Sequence, residues 1–156
     1  MKTWIAVINR TDVRIFETNS NTPGEDIKFI TKLENPKGRL RAIDINADRP
    51  GTTMGSGSIT HRGRKEKAQG PVERVTFMWA RHVVDFLDLH RRKNDFDELN
   101  LIVEPHFLGV IRGCMNKELE QIVTREIPKE LRPVTAEAVQ QRINKKIEEE
   151  TVEVTL

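Results

Sequence analysis

The hydrophobic positions change period twice along the chain. Trp4-Ile5-Ala6-Val7-Ile8 is an unbroken apolar run, the pattern of a short strand covered on both faces. Asn9-Arg10-Thr11-Asp12 then predicts a tight turn, because Asn and Asp bond their own backbone and tolerate turn dihedrals. Asp12–Glu17 alternates, with Val13, Ile15 and Thr18 set against Arg14, Phe16 and Glu17. Asn19–Gly24 is a second loop, and Ile27–Leu33 a third strand with Ile27, Phe29 and Leu33 on one face and Ile30 on the other. The first third therefore predicts an antiparallel three-strand meander.

Beyond it the period lengthens. From Val72 to about Lys93, the positions Val72, Val75, Trp79, Val83, Phe86 and Leu87 recur at three- and four-residue spacing, which predicts an amphipathic helix. Leu99–Val103 is a compact apolar strand. Phe107–Glu120 is helical again with Leu108, Ile111, Met115 and Leu119 as its stripe, and Ile122–Ile127 is a short strand. Pro133-Val134-Thr135 opens a last helix with Thr135 as N-cap, and its buried face is Ala136, Val139, Ile143 and Ile147. The tail Thr151–Leu156 alternates Val152, Val154 and Leu156 with polar residues. It predicts either a frayed end or an edge strand completed by a second copy of the chain, the route to a homo-oligomer.

The order β-β-β-α-β-α-β-α predicts an α/β fold, a mixed sheet with helices on its faces. It matches the ribonuclease-H-like arrangement, an analogy of fold with no functional licence of its own.

Composition narrows the class of protein. A chain of 156 residues is expected to form one domain, 1–156, and its balance of +2 creates no global field for a nucleic acid. Cys114 stands alone, which excludes an internal disulfide framework and suits a reducing cytosol. The five-residue apolar run is too short for a signal peptide or a membrane span, so a cytoplasmic protein without membrane insertion is expected.

The charge is nevertheless segregated. Asn35–Pro71 is far longer than the usual connection of about 4–6 residues, and it carries six glycines. Its basic residues are Lys37, Arg39, Arg41, Arg49, Arg62, Arg64, Lys65 and Lys67, against Asp44, Asp48 and Glu66. Eight minus three is +5, which leaves −3 for the rest of the chain. Such a segment suits a phosphate backbone, where each neutralised phosphate releases counterions. It has no aromatic side chain for base stacking, so a solvated or oligomer-forming loop is the competing reading.

Glu34-Asn35-Pro36-Lys37-Gly38-Arg39-Leu40-Arg41, followed by Asp48-Arg49-Pro50-Gly51, resembles the bacterial host attachment proteins, a family named for a supposed role in binding host cells. The resemblance extends to Trp4–Phe16, Pro105–Arg112 and Glu126–Leu131, and so covers nearly the whole chain. That family is similar to the central domain of archaeal and eukaryotic peptide-chain release factors, which implies a ribonuclease-H-like fold and a ribosomal partner. Release factors carry a Gly-Gly-Gln loop after the third strand. Here Gly55-Ser56-Gly57-Ser58 has no Gln, and Gln69-Gly70 lacks the preceding glycines, so hydrolysis by that motif is not expected.

Other chemistry is sparse. A two-metal nuclease needs clustered carboxylates, but the first strand ends in the amide Asn9, and Glu104 at the end of Leu99–Val103 has only Asp12 as a nearby acid. His61, His82, His90 and His106 have no metal spacing, and Cys114 reads as a small core residue. Pro105-His106-Phe107-Leu108-Gly109 opens a helix whose free N–H groups, with His106 and Arg112, offer an anion site. The alternative is that Pro105 stops the strand, Phe107 packs inward and Gly109 permits close helix–sheet contact. No catalytic residue, metal or cofactor is expected. The leading expectation is a release-factor-like module binding RNA or the ribosome, with a host-attachment factor or a hydrolase of RNA or an ester as alternatives.

Overall fold

The computed structural model describes residues 1–35 and 71–155. Five strands form one mixed sheet in the order β3-β2-β1-β4-β5. They are β1 (Lys2–Ile8), β2 (Asp12–Asn19), β3 (Lys28–Glu34), β4 (Glu98–Val103) and β5 (Val123–Pro128). β1 pairs antiparallel with β2 and parallel with β4, and β4 pairs parallel with β5. The expected meander is present as β1-β2-β3.

β1 and β4 are mostly apolar because both of their faces are covered, with Asn100 of β4 a fully buried polar exception that accepts from Thr124 Oγ1 at 2.8 Å. Trp4, Ala6 and Ile8, with Leu99, Leu101 and Val103, pack under α1 (Pro71–Arg92), α2 (Pro105–Cys114) and α3 (Lys117–Gln121). Ile5, Val7 and Ile102 point the other way, against Val139 and Ile143 of α4 (Ala136–Thr155). Each fully buried Ile or Leu in these layers stabilises the fold by roughly 1.5–3 kcal/mol.

Four expectations need correction. The segment Phe107–Glu120 is two helices, broken at Met115-Asn116. The Asn116 side chain accepts from Leu119 N at 2.8 Å and so starts α3, a short polar residue outcompeting the helical ladder. The tail is helical to Thr155, and Thr151 Oγ1 donates to Ile147 O at 3.0 Å, one turn back. It offers no strand edge to a second copy. Leu33 of β3 faces the α1 side, while Ile27, just before the strand, packs on the α4 side. The register slips between Ile15 and Phe16, leaving Ile30 as an extra residue, and this bulge inverts the alternation. In β2, Glu17 shares the face of Trp4 and accepts from its Nε1 at 3.2 Å, which places Thr18 with Phe16.

The helix ends are built by sequence-local chemistry. Thr135 caps α4 through a bond from Ala138 N at 3.1 Å. Beyond the last residue of α1, Arg92, the chain is turned away by Asn94, which adopts φ 62°, while Asp95 N donates to His90 O and Asn94 N to Arg91 O, each at 3.0 Å. The His90 imidazole then meets the Asp95 carboxylate at 2.6 Å, beside the Trp4 ring.

Candidate functional site at the carboxyl edge of the sheet

β1 and β4 run parallel and end side by side, Ile8 opposite Val103, with Glu104 N donating to Ile8 O at 3.2 Å. Ligands of α/β sheets gather at such carboxyl edges, where the chain leaves the sheet and its polar groups come together. Here β1 leaves as Asn9-Arg10-Thr11, and β4 leaves as Glu104-Pro105-His106.

The first of these turns is held from three directions. Asn9 N donates to Asp12 O at 2.9 Å. Asn35, the last described residue before Pro36, donates its side-chain amide to Arg10 O at 3.1 Å and its backbone N–H to Thr11 O at 2.9 Å. The Trp79 indole, two turns into α1, donates to Asn9 O at 2.9 Å.

The second turn is a helix cap. Pro105 occupies the first position of α2, where its missing N–H costs nothing, and Glu104 Oε1 accepts from His106 N at 3.0 Å. The other oxygen, Glu104 Oε2, lies 3.4 Å from Arg10 Nε. The sequence suggested Asp12 as a neighbour for Glu104, but Asp12 pairs with Arg14 at 3.3 Å and the partner of Glu104 is Arg10.

These residues, with Thr11 and the Glu130–Arg132 ion pair beyond β5, line a cavity of about 270 Å³. Asn9 Oδ1, on a residue only 3% exposed, is buried without a hydrogen bond, and the buried Glu104 Oε2 has the Arg10 guanidinium as its partner. Among the described residues, no three His, Cys, Asp or Glu side chains are grouped to hold a metal ion. Carboxylates Glu104 and Glu130 balance guanidiniums Arg10 and Arg132, so the cavity carries little net charge.

The structure separates the two residues of the expected anion site. His106 lines the carboxyl-edge cavity, whereas Arg112 lines a second one, of about 290 Å³, beside β5. Arg112 is bonded through Nε to Glu126 Oε1 at 2.9 Å, and this bond with the Glu126 charge raises its pKa. The first free N–H of α2 is taken by the carboxylate of Glu104 itself. Gly109 is exposed, with nothing within 4 Å of a Cβ built there, so it serves no close helix–sheet contact. Phe107 is fully buried, Trp4 and Trp79 are core, and Cys114 is 7% exposed. The eight basic residues Lys37, Arg39, Arg41, Arg49, Arg62, Arg64, Lys65 and Lys67 lie outside the described residues, as do His61 and Gly55–Ser58. Sequence reasoning missed Arg10, Glu130 and Arg132, whose approach to Glu104 and His106 depends on which strands pair.

These features define a mixed α/β protein with a polar, charge-balanced cavity at its carboxyl edge. Over residues 2–147 the chain matches the family model described as bacterial archaeo-eukaryotic release factor family 12, and it belongs to that family. A search of curated proteins returned no match. Among solved structures it is similar to an archaeal translation termination factor, aRF1, at 10% identity and a TM-score of 0.44, covering 99% of this chain and 41% of that one. A second, titled an archaeal protein, is 10% identical with a TM-score of 0.42, covering 99% and 40%. The chain thus spans about two-fifths of the length of either. No described helix is long and apolar enough to cross a membrane.

Proposed function

We propose that this chain is a non-catalytic, release-factor-like module of ribonuclease-H-like architecture, a single domain over 1–156, that works in the cytoplasm and contacts RNA on the ribosome. The contact is made by Lys37, Arg39, Arg41, Arg49, Arg62, Arg64, Lys65 and Lys67. The observation that carries the reading is membership of a release-factor family across residues 2–147. Two features support it further. The sequence concentrates +5 between Asn35 and Pro71. The sheet order β3-β2-β1-β4-β5 and the Asn35 bonds bring the chain into that segment at the carboxyl edge, beside the polar cavity.

The test is sedimentation of the tagged chain through a sucrose gradient of native lysate, with and without ribonuclease. Comigration with ribosomal particles that is lost on ribonuclease treatment and weakened by salt is the expected result. Replacing Arg62, Arg64, Lys65 and Lys67 by Gln together should move the chain to the light fractions without lowering its Tm. Light fractions for the unaltered chain would overturn the reading. They are also what host attachment, the other role the resemblance implies, predicts.

A further inference from the structure

We infer that the first two turns of α1 carry a stacking site for an unpaired base of single-stranded RNA, built on Phe77 and Met78. The helix runs antiparallel to β1. Trp79 donates to Asn9 O just past the end of that strand, and further along the rings of Phe86 and His90 lie 6.4 and 5.2 Å from that of Trp4, near the strand's start. Pro71–Met78, which precede Trp79, therefore project about 12 Å beyond the carboxyl edge of the sheet. None of the side chains from Glu73 to Met78 belongs to either core cluster. Phe77 and Met78 are 51% and 55% exposed. A one-sided helix carries polar residues on its outward face, so an aromatic ring and a thioether side by side there do not serve the core.

Three observations select the occupant. The patch is small: about half of each side chain leaves roughly 200 Å² of surface, against about 800 Å² on each partner of a stable protein interface. That area suits a base and is too little for a second copy of the chain. The patch is also flanked by cations. Arg74 lies one helical turn before the pair and Arg81 one turn after, with Glu73 as the acid between Pro71 and Arg81. Two minus one leaves +1 for 71–81, which extends the +5 that the sequence concentrates between Asn35 and Pro71. Arg81 is held by Asp85 Oδ1 at 3.2 Å and Cys114 O at 3.3 Å, and its side chain stays 49% exposed. The third observation is placement. The chain enters the basic segment at the Arg10–Thr11 turn, where Asn35 is bonded, and leaves it into the projecting turns of α1, at the same edge of the sheet. That segment has no aromatic side chain, and Phe77 supplies the ring it lacks. Every base has a π face, so stacking on Phe77 is tolerant of sequence, and the polarizable sulfur of Met78 packs against rings as well. The choice of RNA as the occupant rests on the RNA-contact reading above.

The test measures binding of single-stranded oligo(U) and oligo(A) of about 12 nucleotides, and of an RNA duplex of the same length, to the intact chain by fluorescence anisotropy. Phe77→Ala should weaken binding of both single strands roughly tenfold and leave the salt slope unchanged, because it removes a stacking face and no charge. Phe77→Trp should keep the parent affinity, and Phe77→Leu, equally apolar, should not. Duplex binding should not respond to any of the three, since its bases are already stacked on one another. Phe77 is exposed, so the variants should melt with the parent. Single-strand affinity unchanged by Phe77→Ala, or kept by Leu as well as by Trp, would overturn the stacking site. A change of oligomeric state on Phe77→Ala would assign the patch to a second copy of the chain instead. Ribosome comigration that persists while Phe77→Ala leaves oligomer binding unaltered removes the stacking site and keeps the RNA-contact reading. Absence of both comigration and oligomer binding removes that reading, and the site with it.

Discussion

The indole N–H of Trp79 donates to the main-chain carbonyl of Asn9 at 2.9 Å, joining the helix that follows the basic segment to the turn that follows the first strand. Both residues are buried, at 5% and 3% exposure. The bond therefore ties helix position to cavity shape.

Trp79→Phe keeps the aromatic bulk and deletes the donor, leaving the Asn9 carbonyl buried and unpaired. The cost should be about 1–3 kcal/mol in urea unfolding. The amides of Asn9–Thr11 should also exchange faster with solvent, which a loss of packing elsewhere on α1 would not produce.

Asp88 makes the junction of α1 with the α2–α3 break sensitive to acid. Burial pushes its pKa up, but hydrogen bonds from Arg91 and Asn116 and the charges of Arg91 and Arg92 outweigh that and hold it below the usual carboxylate value. A depressed folded-state pKa contributes stability above the unfolded value, near 3.9, that is lost as pH falls through the lower folded one. Asp88→Asn should cost about 1–2 kcal/mol at pH 7, and the gap to the parent should close below about pH 4. Paired denaturation curves at pH 7, 5 and 3 measure it; a gap that does not change with pH would count against the ion pair.

Gly109 and Gly113 lie in α2 with open space where a Cβ would sit. Replacing either by Ala should raise stability by about 0.5–1 kcal/mol, because glycine has the more to lose on ordering in a helix. A drop in Tm would mean that the added methyl groups meet atoms where the structure shows open space.

Asn116→Ala removes the cap of α3 and one hydrogen bond to Asp88. A loss of about 1–2 kcal/mol is expected. It should be less than additive with Asp88→Asn, since the two share that bond. A double-mutant cycle gives the coupling directly.

Ile143 is fully buried in the layer that α4 lays over Ile5, Val7 and Ile102. Ile143→Ala should cost about 2–5 kcal/mol. A value well under 1 kcal/mol would mean that α4 contributes little to the fold.

Periodicity alone determined most of the elements. The apolar runs Trp4–Ile8 and Leu99–Val103, the second interrupted only by the buried Asn100, are legible because a strand covered on both faces is apolar at most positions, and α1 is legible because a one-sided helix repeats every three to four residues. The caps at Thr135 and Pro105 are equally local, since each acts on its own first turn. Tertiary structure decided the rest. The bulge at Ile15/Phe16 is a property of strand pairing, so the face of Leu33 could not be read from β3 alone. Val152 and Val154 fit either a strand or a helix, and continuation of the α4 ladder chose the helix. The cavity depended most on the fold: Arg10 meets Glu104, and Asn9 stands beside it, only because β1 and β4 pair in parallel and end at the same level. Hydrophobic patterning carries no record of which polar residues will be buried together, because that follows from strand order, and strand order is set by the whole core at once.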